Sequence, residues 1–174
     1  MTPRVLSGLV WHQGHPWYGL ISFQDPARGD GRYHRIGDEG VWYCSTTALA
    51  AWAQLFRVKL DDGLSPLHVK RRIGRCRVRA LVVLDLSDDA TRRVLGVAES
   101  ELRADENGRC QAIAHRARSA GFEGILAPSA ALNGALDVVA FKAGIPKVLE
   151  EHSRVQRAPR NMKACLRRIR RRSS

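Results

Sequence analysis

The chain has 174 residues, 44% of them hydrophobic, and a net charge of +12, a size and composition that fit one domain able to bury a sufficient core. No run of about 18 apolar residues is present, which excludes a membrane-spanning helix. Met1-Thr2-Pro3-Arg4 lacks the apolar core of a signal peptide, so a soluble cytoplasmic protein with no membrane contact is expected.

The charge is concentrated at one end. Nine Lys and Arg residues and no Asp or Glu lie between Arg154 and Arg172, and without them the remainder carries +3. The expected organisation is a domain over residues 1–150 followed by a basic tail over residues 151–174. Cys44, Cys76, Cys110 and Cys165 contain no Cys-x-x-Cys pair, so buried reduced thiols are expected, not a zinc knuckle or a redox motif. His12 and His15 have no Cys or carboxylate partner at ligand spacing, and no metal is expected.

In chain order, the apolar run from Val5 to Trp11 reads as a first strand. Residues 14–31 form a loop rich in Gly, Pro and aromatics, with Trp17, Tyr18 and Phe23 serving either as a lid or rim or as ordinary loop anchors. Arg32 then leads into a strand, Gly37 to Gly40 reads as a hairpin turn, and Val41 to Cys44 as the next strand. Ser45-Thr46-Thr47 supplies acceptors to cap a helix from Ala48 to about Val58. Ala48, Leu49, Trp52, Leu55 and Phe56 form its broad apolar face, and Gln54 is its lone polar residue before Arg57. An unpaired buried amide costs roughly 1–3 kcal/mol, so Gln54 needs a partner, either a structural one or a ligand hydroxyl. Arg32, Tyr43 and Gln54 stand eleven residues apart in succession and are placed to converge on one cleft.

Residues 61–79 read as basic and turn-rich, and residues 79–86 as a well-buried strand. Ser87-Asp88-Asp89 caps a short helix. Residues 95–103 form a loop or a helical turn in which Glu99 and Glu101 are solvated. Asn107 to Ala120 is an amphipathic helix with Cys110, Ile113, Ala114 and Ala117 at helical spacing, closed by Gly121 as a left-handed cap. Phe122 to Ala127 is a buried strand that Pro128 terminates, leaving Ser129 at a strand end, where a side chain can enter a cleft. Asn133-Gly134 turns the chain into a last apolar strand, Asp137 to Phe141. There is no repeat, no Gly-rich phosphate loop and no Gly-x-Ser-x-Gly, so Ser129 reads as a hydrogen-bonding residue and not as a nucleophile.

The segments Gly31-Arg32-Tyr33, Gly40-Val41-Trp42-Tyr43, Ala48 to Arg57 and Ala120 to Ser129 together resemble the RES-domain family, over roughly Val5 to Phe141. The resemblance implies a single α+β domain, a mixed central sheet with flanking helices, related to mono-ADP-ribosyltransferases. It implies an NAD-degrading toxin of a bacterial toxin–antitoxin pair, with NAD as substrate and a helix-turn-helix antitoxin as partner. By the same resemblance Arg32 pairs with an NAD phosphate, Tyr43 packs against the nicotinamide end, and Ser129 hydrogen-bonds in the pocket. His12 aligns with an arginine found at the end of the family's first strand.

The departure is at Gln54, which stands where the family has a glutamate. Cleavage of the nicotinamide–ribose bond builds positive charge on the ribose, which a carboxylate stabilises, and Gln54 keeps the shape without the charge. Either a natural glutamine, giving a weakened or binding-only homologue, or an inactivating substitution accounts for it. Two other functions stay open. One is transfer of ADP-ribose to a macromolecule. The other is a silent domain that binds nucleic acid or an antitoxin through Arg167-Arg168-Ile169-Arg170-Arg171-Arg172. No aromatic residue follows Phe141 to stack bases, so nucleic acid is the less favoured partner of that tail.

Overall fold

A computed structural model describes residues 3–21, 29–61 and 69–158, apart from the side chains of residues 58–61. Six strands and four α-helices follow in the order β1 (Pro3–Gly14), β2 (Val41–Ser45), α1 (Ala48–Asp61), β3 (Lys70–Asp85), α2 (Asp89–Leu95), α3 (Glu99–Arg103), α4 (Gly108–Ser119), β4 (Gly124–Pro128), β5 (Leu136–Phe141) and β6 (Val148–Arg157). The sheet runs β1-β2-β5-β4-β3-β6, and β1 also pairs with β3. The first five strands therefore close into a ring, with β6 on the outer side of the first half of β3. All pairings are antiparallel except β3 with β4. This is the α+β domain with a mixed central sheet that the sequence leads one to expect.

Strand alternation divides the core. Trp42 and Cys44 of β2 point into the ring with Val10, Val78, Leu81 and Val138. Val41 and Tyr43 point outward to the layer of α2, α3 and α4, where Cys110, Ile113, Ala114 and Ala117 lie buried at the spacing of one helix face. Trp52 and Phe56 of α1 stack near Ile73 of β3 in a third cluster. The local signals act as read: Thr47 Oγ1 accepts the Ala50 amide at 3.1 Å, Asp88 accepts the Thr91 amide at 2.8 Å, and Gly121 has φ +80°.

Three local readings are corrected. Residues 32–40 do not form a hairpin with β2. Gly31 and His34 bridge to each other, so Arg32 sits in a tight turn and not on a strand, and the flanks of β2 are taken by β1 and β5. The stretch read as turn-rich from 61 to 79 holds the first half of β3. Arg75, Arg77 and Arg79 point to solvent while Cys76 and Val78 are buried, a two-residue period that its charge density concealed. Finally, the division at 150/151 falls inside β6, which pairs with β3 as far as Arg157 opposite Lys70. Phe23 and the Arg-rich segment 167–172 lie outside the described residues. Of the other loop aromatics, Trp17 is 86% exposed. Among the described residues no helix is long and apolar enough to cross a membrane.

Candidate functional site

The turn that carries Arg32 is built to be rigid. A Cβ on Gly31 would lie 2.2 Å from the His34 ring and 2.8 Å from the Tyr43 hydroxyl, so only glycine allows this approach. Gln111 of α4 donates its amide to the carbonyls of Gly31 and His34, at 3.0 and 3.2 Å, where a partner strand would otherwise be needed. Arg118 donates to the Tyr33 carbonyl at 2.8 Å and lies over the Phe141 ring. The Tyr43 hydroxyl accepts the Tyr33 amide at 3.0 Å and lies 3.0 Å from His34 Nδ1. Burial holds His34 in its neutral form, lowering its pKa, and its ring also bonds the Gly29 carbonyl, which leaves Nδ1 to accept from Tyr43. Burial likewise pushes the Tyr43 phenol well above its ordinary range.

This scaffold aims Arg32 at the carboxyl end of α3, where Nη1 donates to the Leu102 carbonyl at 3.0 Å. Two more arginines gather there, a position that suits cations because the last carbonyls of a helix are unpaired. Arg57 of α1 pairs with Asp105 and reaches the Ala104 carbonyl, and Arg103 donates to Asn133 at 2.5 Å. Among the described residues Arg57 Nη1 and Arg103 Nε are buried without a hydrogen-bond partner, and so is the Tyr33 hydroxyl, whose neighbour is the weakly bonding Cys110 thiol.

Within the field of Arg32 lies a carboxylate, Asp137. It is the second residue of β5, directly opposite Ser45 on β2 and Ala127 on β4, so its side chain shares the outward face with Tyr43. Ser45 Oγ donates to Asp137 Oδ1 at 2.7 Å. The Ser129 and Gln54 side chains adjoin the carboxyl group and favour its charged form, and Arg32 is the cation whose field it feels. Burial raises its pKa, while Ser45, Ser129, Gln54 and Arg32 oppose that rise. Ser129, fully buried at the end of β4, also accepts the amides of Ala131 and Leu132 at 3.3 Å each.

Of the residues singled out from sequence, Arg32, Gln54 and Ser129 thus meet around Asp137, and Tyr43 stands behind them as the support of the Arg32 turn. His12 stands on the other face of β2. Its ring packs against Trp42 at 5.3 Å between centroids and its Nδ1 donates to the Tyr43 carbonyl. Burial lowers its pKa to about 4, so it is neutral near pH 7. A groove of about 540 Å³ opens elsewhere, where the start of α1 meets β3 and β6, lined by Trp11, Leu49, Trp52, Arg75 and Arg154.

A profile of the RES domain matches residues 4–161. The chain belongs to the RES-domain family. A probable NAD(+) phosphorylase of Mycobacterium tuberculosis is 48% identical over 156 residues, covering 90% of this chain and 75% of that protein. A chain of the crystal structure of the M. tuberculosis MbcT–MbcA toxin–antitoxin complex superposes with a TM-score of 0.79, over 97% of this chain and 92% of that one, at 19% identity, and so shares the fold.

Within this RES domain, sequence reasoning missed Asp137, Ser45, Arg57 and Arg103. Asp137 was hidden as the first residue of an apolar run, and Ser45 as one of three consecutive cap formers. A polar residue at each end of two apolar strands that pair with one another was the available signal.

Proposed function

We propose that this RES domain binds NAD as its substrate and cleaves the bond between nicotinamide and ribose, acting as the toxin of a toxin–antitoxin pair. The observation that carries the reading is the meeting of Arg32, Gln54 and Ser129 around one carboxylate in a chain 48% identical to a probable NAD(+) phosphorylase. In this reading Arg32 holds a phosphate of the dinucleotide through its planar fork, with the buried unpaired nitrogens of Arg57 and Arg103 as further donors. Tyr43 stands at the nicotinamide end as the support of the Arg32 turn, Ser129 hydrogen-bonds within the pocket floor, and the Gln54 carbonyl engages a ribose hydroxyl. His12 contributes through the backbone of Tyr43 and not by entering the same pocket.

The reaction breaks the C–N glycosidic bond, and nicotinamide leaves with the bonding pair. The positive charge that develops on the ribose is quenched when an oxygen of phosphate or water bonds to the same carbon. Phosphate as acceptor follows from the name of the relative, and a helix-turn-helix antitoxin is the partner that the family resemblance brings. Incubating the purified chain with NAD, with and without inorganic phosphate, tests the reading. Nicotinamide and ADP-ribose 1″-phosphate are the expected products, and label retained on protein would identify transfer instead. The reading is lost if neither this chain nor its Gln54→Glu variant binds or consumes NAD.

A further inference from the structure

Resting on that reading, we infer that Asp137 is the catalytic carboxylate of this chain, supplying from β5 the negative charge that residue 54 lacks, while Gln54 holds it in place. Its surroundings are built for an ionised carboxyl group. Ser45 Oγ donates to it at 2.7 Å, and the Ser129 and Gln54 side chains beside it favour the charged, acceptor-only form against the opposing effect of burial. Ser45 and Ser129 are fully buried, whereas Asp137 and Gln54 are both partly exposed, so these two residues form the open side of the cluster.

The other acidic side chains near the core are already neutralised. Asp85 is taken by Arg4 and Glu123 by Lys147. Among the described residues Asp137 has hydroxyl and amide donors in place of a cation at ion-pair distance, with Arg32 near but bonded to Leu102. Its charge is therefore free to face a cation that develops on the ribose, as catalytic carboxylates do in glycoside cleavage. The glycosidic bond breaks towards nicotinamide, the incoming oxygen closes the carbon, and Asp137 neither gains nor loses a bond.

The two residues form a unit. Gln54 adjoins Asp137 and favours its charged form, which an amide N–H can do and a carbonyl cannot, so the carbonyl is left for a ribose hydroxyl. Placing Glu at 54 would set two carboxylates side by side, where like charge favours a proton on one of them. The simple expectation that Gln54→Glu raises activity is reversed.

The test uses the full chain and reads nicotinamide release and NAD binding by calorimetry for the native protein, Asp137→Asn, Gln54→Glu and the double variant. Expected are a fall in kcat of about 10²–10³-fold in Asp137→Asn, with NAD affinity within about threefold of native. Gln54→Glu should be no faster than native, and the double variant, which moves the charge from 137 to 54, should regain most of the lost rate. Native-like kcat in Asp137→Asn, or a Gln54→Glu variant at least about tenfold faster than native, overturns the inference. An inert native protein with an active Gln54→Glu variant overturns it and leaves the NAD reading standing. Absence of NAD binding and turnover in all four proteins overturns both. Should Asp137→Asn fail to fold, the pH profile of the native enzyme decides: kcat should fall on acidification at a pH above the ordinary aspartate range, and a flat acid limb overturns the inference.

Discussion

The two faces of β2 divide the molecule's work. Trp42 and Cys44 enter the closed ring, where the contacts are apolar and the one polar group of Trp42 is met by the Leu20 carbonyl at 2.9 Å. Tyr43 and Ser45, the residues between and after them, face a layer where hydroxyls, amides and guanidiniums gather around a single carboxylate. The interior face of β2 is lined by apolar side chains. The outer face keeps buried polar atoms without a bonding partner among the described residues, at Tyr33, Arg57, Arg103 and Arg118. Adjacent residues of one strand therefore differ less in burial than in whether their neighbours are complete, and incomplete hydrogen bonding points to a ligand more directly than empty volume does.

Substitutions on the two faces should separate stability from turnover. The largest expected effect is on the interior: Trp42→Ala removes a fully buried indole and should cost about 3–5 kcal/mol in chemical denaturation. On the outer side Arg32→Ala should lower kcat/KM for NAD by about 10²–10³-fold, with a smaller change in unfolding midpoint than Trp42→Ala. An Arg32→Ala variant that loses stability without losing turnover would erase the distinction between the faces. Tyr43→Phe removes the hydroxyl that ties the Arg32 turn, and should cost about 1–2 kcal/mol of stability.

His12 gives the interior face a pH dependence. Its imidazole titrates near 6.5 when unfolded and near 4 in the folded protein. Between those values the unfolded state binds more protons, so the contribution is complete above 6.5 and is lost as pH falls towards 4. Denaturation between pH 7 and 4 should show this loss, and His12→Gln should flatten it. The smallest effect belongs to the groove at α1, β3 and β6. Leu49→Ser, at an exposed position there, should leave NAD turnover within about twofold of native, as surface substitutions do. A larger fall would move the reaction from the polar cluster to the groove.

Much of this was legible because the sequence follows local rules. The α4 stripe from Cys110 to Ala117, the Asp88 cap, the Gly121 end and the proline that leaves Ser129 at a strand tip all emerge from periodicity and turn chemistry. What escaped depends on partners far away in the chain. The first half of β3 is a strand because β1 and β6 flank it, in spite of its arginines. The Arg32 turn needs no strand partner because Gln111, about eighty residues later, satisfies its carbonyls. Gln54 was recognisable as an amide in need of a partner, but Asp137 becomes that partner only when β5 is laid beside β2. Side chains that act together across such separations leave no spacing to read.

The closure of the ring also sets an order in time. Synthesis delivers β1 first, yet its pairing begins at Pro3 opposite Leu84 and ends at Gly14 opposite Arg72, so this strand waits for β3 before it has a long partner. Arg32 is made early, and Ser129 and Asp137 come only with β4 and β5. A growing chain on the ribosome carries Arg32 before the Gln111 that secures its turn and the carboxylate beside it, and the cluster is complete only after the last third of the domain has emerged and docked.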